Sequence, residues 1–116
     1  MAPKIQLNIK HHDKTRAEYF IRALKEDFEL LPIDWRSWKE SRRIVDAARL
    51  TNMDKSLTIT LLFLEDYSDA EVIAKANAVP TIDAARWSNN GSLMFLVEST
   101  DANKVNNALS IFAGNE

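Results

Sequence analysis

Few residues in this chain are equipped to do chemistry. Both histidines are adjacent, in the run His11-His12-Asp13. Two imidazoles and a carboxylate are valid ligands for a divalent metal. Neighbouring side chains at a strand end point apart, however. A loop that leads into a helix also needs polar residues for its own turn, so no metal and no cofactor is expected. The chain has no cysteine, which removes zinc–thiolate sites, disulfides and thiol chemistry. It has no HExxH, no P-loop and no Ser-His-Asp spacing. Asp34 is a lone carboxylate beside Trp35, and it reads as a turn or cap residue rather than a general base. The expectation is a protein that is not an enzyme.

The segment Pro32 to Glu40, "PIDWRSWKE", is a different kind of candidate. It holds two of the three tryptophans, with Arg36 and Ser37 between them and Lys39 after them. Tryptophan offers a large contact area at low entropy cost and is enriched where proteins bind one another. Arg36 and Lys39 would favour an acidic partner. Trp35 reads equally as a core residue closing the end of a sheet, and Trp38 as packing on a first helical turn. Arg42, Arg43 and Arg49 extend the basic run. Glu65, Asp66, Asp69 and Glu71 form an acidic cluster further on. Such asymmetry suits self-association, or simply a solvated face with ion pairs one helical turn apart. A homodimer is left open.

These residues must be carried by one domain spanning 1–116. The hydrophobic fraction of 46% is enough for a core. The net charge of −2 gives no basic surplus, so nucleic acid is not expected as the partner. No apolar run approaches a membrane span. The first ten residues alternate polar and apolar, unlike a signal peptide, so a cytoplasmic setting is expected.

The patterning predicts the order β-α-β-α-β-α-β-β-α. "KIQLNIK" alternates, with Ile5, Leu7 and Ile9 on one side. "TRAEYFIRALKEDF" places Ala17, Phe20, Ile21, Leu24 and Phe28 at helical spacing, with a capping box of Thr15 and Glu18. "ELLPIDW" reads as a strand with an irregular end. "SWKESRRIVDAARLTN" reads as a second helix, with Ser41, Ile44, Val45 and Ala48 along one stripe. "SLTITLLFLED" is apolar on both faces from Leu61 to Leu64, as in a central strand covered on each side. Ser68 and Glu71 repeat the capping box before a short helix through Ala76. Two strands then flank Asn90-Gly91, a favoured hairpin turn. The final helix puts Val105, Ala108, Leu109 and Phe112 on one face, with Gly114 as a C-terminal cap. The β-α-β units imply parallel neighbours and a mixed sheet flanked by helices, an α/β class.

That order, with Trp35 at the end of the second strand and Val79-Pro80-Thr81 after the third helix, resembles the thioredoxin-like superfamily. The family's two cysteine positions fall on Arg36 and Lys39, in "RSWK", and its buried acid falls near Leu30. The resemblance therefore implies a redox-inactive member, since no cation can replace a thiolate in disulfide exchange. It further implies a cis Val79–Pro80 bond beside a groove for an extended peptide. Trp35, Arg36, Ser37, Trp38, Lys39, Val79 and Pro80 would line that groove, in a chaperone-like adaptor or assembly factor. The second reading is a small α+β, ferredoxin-like dimeric protein with an interaction or regulatory role.

Overall fold

A computed structural model of the chain describes residues 7, 9–77 and 85–113. Three helices, α1 (Lys14–Ala23), α2 (Asp69–Ala76) and α3 (Ala102–Phe112), pack on a sheet of five strands. The strands are β1 (Phe28–Leu31), β2 (Ile44–Asn52), β3 (Leu57–Leu64), β4 (Ala85–Asn90) and β5 (Leu93–Ser99). Their order across the sheet is β1-β2-β3-β5-β4, and all four pairings are antiparallel.

β3 is the centre of the sheet because it is apolar on both faces. Leu57, Ile59, Leu61 and Phe63 point into the larger cluster, under α1 and α3. Leu62 and Leu64 point the other way, into a smaller cluster under α2. Period-two alternation makes this division automatic. The larger cluster is built on helical stripes: Ala17, Phe20 and Ile21 from α1, and Val105, Ala108, Ile111 and Phe112 from α3. The Phe112 ring stacks on Phe95 at 4.9 Å and meets Phe20 edge-on at 5.5 Å, both favoured aromatic geometries. Asp101 caps α3 by accepting from the Asn103 amide at 2.9 Å. Gly91 closes the β4–β5 hairpin at φ 61°, a conformation that favours glycine.

The fold corrects the expected one. The class is α+β, not α/β, and the sheet is antiparallel rather than mixed, so the thioredoxin-like order is not found. The strand at 57–64 is central, but both neighbours run against it. Two segments differ: no strand precedes α1 among the described residues, and the expected second helix is a strand. Residues 37–52, expected as the second helix, hold no α-helix; two 3-10 turns, Trp35–Ser37 and Ser41–Arg43, lead directly into β2.

The reason is a β-bulge between Ile44 and Asp46. A bulge inserts one residue into the alternation. Ile44 and Ala47 therefore share the α2 face, three residues apart, while Ala48 and Leu50 face the larger cluster. Spacings of three and four then imitate a helical stripe. Helix propensities among these residues differ by about 0.7 kcal/mol or less each, a weak preference that tertiary context overrides: as a strand the segment pairs with β1 on one edge and β3 on the other and buries Leu50 between them.

Neither expected capping box forms. Glu18 accepts from the Leu7 amide at 2.8 Å, while Ser68 donates to Asp66 at 2.9 Å. Phe28 belongs to β1 rather than to the first helix. Leu7 and Ile9 are buried in the larger cluster. Leu7, Ile9 and Lys10 are in no strand, so the expected first strand is not found among the described residues; its other positions, the Val79-Pro80-Thr81 motif with its cis bond, and Gly114 lie outside them.

Candidate functional site

Two places concentrate polar or aromatic side chains. The first is the loop before α1, where it meets the β4–β5 turn. Asp13 is buried, and its carboxylate accepts from Arg16 Nη2 at 2.6 Å and from the Ser92 hydroxyl at 2.5 Å. Arg16 also donates to the Asn90 side chain at 3.1 Å and to its carbonyl at 2.8 Å. Asn90 Nδ2 continues the chain of bonds to the Phe112 carbonyl at 2.9 Å.

His11, His12 and Asp13 have ligand atoms within 4.8 Å of one another, a spacing that suits a metal. Their lone pairs do not. His11 Nδ1 accepts from the Asp13 amide at 3.1 Å, so Nε2 carries the proton and donates to the Leu64 carbonyl at 2.9 Å. Both ring nitrogens are engaged, and so are both Asp13 oxygens. A ligated cation would have to break several of these bonds beside a fixed guanidinium.

The same atoms make a poor hydrolytic triad. Ser92 donates to Asp13 rather than to a base, and His12 is 72% exposed. Asp13 lies 3.4 Å from His12 Nε2, the nitrogen that also faces Ser92 at 3.1 Å. A triad carboxylate must instead hold the far nitrogen of the ring. The cluster is a staple tying α1, the hairpin tip and α3 together.

The second place is the turn after β1. Pro32 lacks an amide hydrogen, which suits the end of the ladder at Leu31. The chain then winds through Trp35–Ser37. The Ser37 hydroxyl donates to the Asp34 carbonyl at 2.8 Å, and the Trp38 amide to the Trp35 carbonyl at 3.1 Å. Trp35 and Trp38 pack, half-buried, against the cluster of Leu62, Leu64, Ile73 and Met94. Each indole is therefore both a packing residue and a surface residue. Arg36 and Lys39 are exposed between and beside them, with the Arg36 guanidinium 4.5 Å above the Trp35 ring.

Two clamps fix this turn to α2. The Asn77 side chain accepts from the Lys39 amide and donates to the Lys39 carbonyl, both at 2.9 Å. Arg43 donates to Asp69 at 2.7 Å and to Glu40 at 3.3 Å. Asp69 first, and then Glu40, hold the Arg43 guanidinium above its ordinary pKa range by accepting its hydrogen bonds. Glu40 itself sits at φ 61°, a left-handed conformation that turns the chain towards β2.

The structure thus brings Trp35, Arg36, Ser37, Trp38 and Lys39 together on one clamped turn. Val79 and Pro80, expected to complete the site, lie outside the described residues. Two contributors were missed in the sequence. Trp87 of β4 packs against the same cluster, and its position opposite Leu96 puts it on the α2 face. Asn77 gave no sequence signal beyond its place at the end of a helix. Among the described residues no helix is long and apolar enough to cross a membrane. No family model matches the chain, and neither a curated protein nor a solved structure does. The class that fold and site define is an α+β domain with a tryptophan-bearing turn on the α2 side of its sheet.

Proposed function

We propose that the chain is a non-catalytic protein-interaction domain, acting as an adaptor or assembly factor, and that the Trp35–Lys39 turn is its contact surface. One observation carries this reading. Two half-buried tryptophans flank exposed Arg36, and neither Arg36 nor Lys39 has an ion pair among the described residues. Aromatic anchors held in place by packing suit a protein contact, because little freedom is lost on binding. The clamps from Asn77 and Arg43 preorganise the turn further. A cytoplasmic setting belongs to the same proposal.

Support for a non-catalytic role comes from the polar cluster. Its histidine, carboxylate and hydroxyl spend their hydrogen bonds on one another and on the backbone. The test is affinity capture with the wild-type chain, an Arg36→Ala/Lys39→Ala pair, and Met53→Ala as a control at an exposed residue on the β2–β3 turn. Capture should fail for the pair and survive in the control. Equal capture by all three would reject the turn as the contact surface.

A further inference from the structure

The face that carries the tryptophan turn carries a second patch of opposite sign. Glu65, Asp66, Tyr67 and Ser68 are all exposed between β3 and α2, and Glu71 and Val72 continue the exposed surface onto α2. Tyr67 is 66% exposed and Val72 37% exposed, so the acidic patch also carries exposed apolar surface. Of its four carboxylates, Asp69 is taken up by Arg43 inside the fold. Among the described residues Glu71 pairs only with Lys75, and both side chains are mostly exposed. Such a pair is screened and easily exchanged. Glu65 has no ion pair among the described residues.

The basic patch is made of Arg36 and Lys39, with Arg42 beside them, whose side chain is 74% exposed and pairs with Glu40 at 3.0 Å. The two patches are neighbours. The Arg43–Asp69 bond joins them, and the Asn77–Lys39 pair ties the turn to the end of α2.

We propose that two copies of the chain pair through this face, the tryptophan turn of each lying on the acidic start of α2 of the other. The proposal rests on the reading of the turn as a contact surface and names its partner. A twofold interface must be self-complementary, and adjacent patches of opposite charge on one face meet that condition, since a half-turn about an axis between them lays each patch on its complement. Trp38 would then meet Tyr67 and Val72 at the centre, with Arg36 and Lys39 against Glu65 and Glu71 at the rim. The net charge of −2 means that two copies hardly repel one another. Rim charges act mainly on orientation and on the rate of encounter, so the pairing should be sensitive to salt.

Sedimentation equilibrium of the purified full chain tests this. Wild-type chain should dimerise at about 10 mM salt and do so at least about tenfold more weakly at about 1 M, where the screening length falls from about 30 Å to about 3 Å. Arg36→Glu/Lys39→Glu should be monomeric, and so should Glu65→Lys/Glu71→Lys. The chain with all four changes has the wild-type net charge and swapped patches, and it should dimerise again. Circular dichroism checks that each variant is folded; all four positions are exposed. A monomeric wild type at low salt, or no recovery in the fourfold variant, overturns the pairing. If the wild type is monomeric while capture of another protein still depends on Arg36 and Lys39, the contact surface stands and only its partner is wrong.

Discussion

The side chain of Asn77 grips the backbone of Lys39 at both its amide and its carbonyl, 2.9 Å each. This is the geometry of a strand pair made by one amide side chain. It joins the last residue of the tryptophan turn to the C-terminal end of α2. The same Nδ2 also donates to the Ile73 carbonyl at 2.9 Å, which holds the amide in place. The turn is therefore positioned by residues far along the chain as well as by its own 3-10 bonds.

Asn77→Ala should loosen the turn without unfolding the protein. A hydrogen bond of this kind contributes about 0.5–1.5 kcal/mol, and the Lys39 groups can be re-solvated because they lie at the surface. The expected readout is faster hydrogen exchange at the Lys39 amide, with a stability loss of about 1–2 kcal/mol. Unchanged exchange would mean that the clamp does not restrain the turn.

Arg16 is the hub of the staple between α1 and the hairpin. Arg16→Ala would leave the buried Asp13 carboxylate with the Ser92 hydroxyl as its remaining close partner, since His12 lies further off at 3.4 Å. Loss of a charged hydrogen-bond partner from a buried group costs about 1–3 kcal/mol or more, so urea unfolding should show a loss of that order. Zinc added to the wild type should not move the His11 ring resonances, because both ring nitrogens are already bonded. A stoichiometric shift on zinc addition would make the cluster a metal site after all.

Asp54 accepts from the Ser56 hydroxyl and amide, and these bonds hold its carboxyl below the ordinary carboxylate range. A folded-state pKa below the unfolded one gives stability that is present above the unfolded value of about 3.9. That stability is lost as pH falls through the folded value. Stability of the wild type should therefore decline below about pH 4, and Asp54→Asn should flatten part of that decline. An identical acid limb in both proteins would contradict this role for Asp54.

Several elements are legible in the sequence although the fold class and sheet topology are not, and the main departure has a physical cause. β3, the Asn90-Gly91 hairpin, α2 and α3 follow from undisturbed periodicities of two and 3.6. Residues 37–52 do not, because the bulge after Ile44 rewrites a strand's alternation as a helix-like spacing. That misreading turns the antiparallel meander β1-β2-β3 into an apparent β-α-β unit, and the strand expected before α1 supplies the other, so the thioredoxin-like expectation follows from both.

The site was legible in part for a related reason. Trp35 to Lys39 is a local run, and its character is visible in five consecutive residues. Asn77 and Trp87 join it only through the packing of α2 and the sheet order, which local patterns do not encode.

The most direct measurement is on Trp38→Ala, with stability and partner binding read on the same protein. The indole is half-buried, so truncation should cost some stability, less than the roughly 3–5 kcal/mol of a fully buried aromatic. Binding should fall by far more than stability does, with loss of captured partner in a chain that is still folded at the working temperature. A variant whose binding falls only in step with its folded fraction would contradict a contact role for the turn and leave Trp38 as a plug at the end of the sheet.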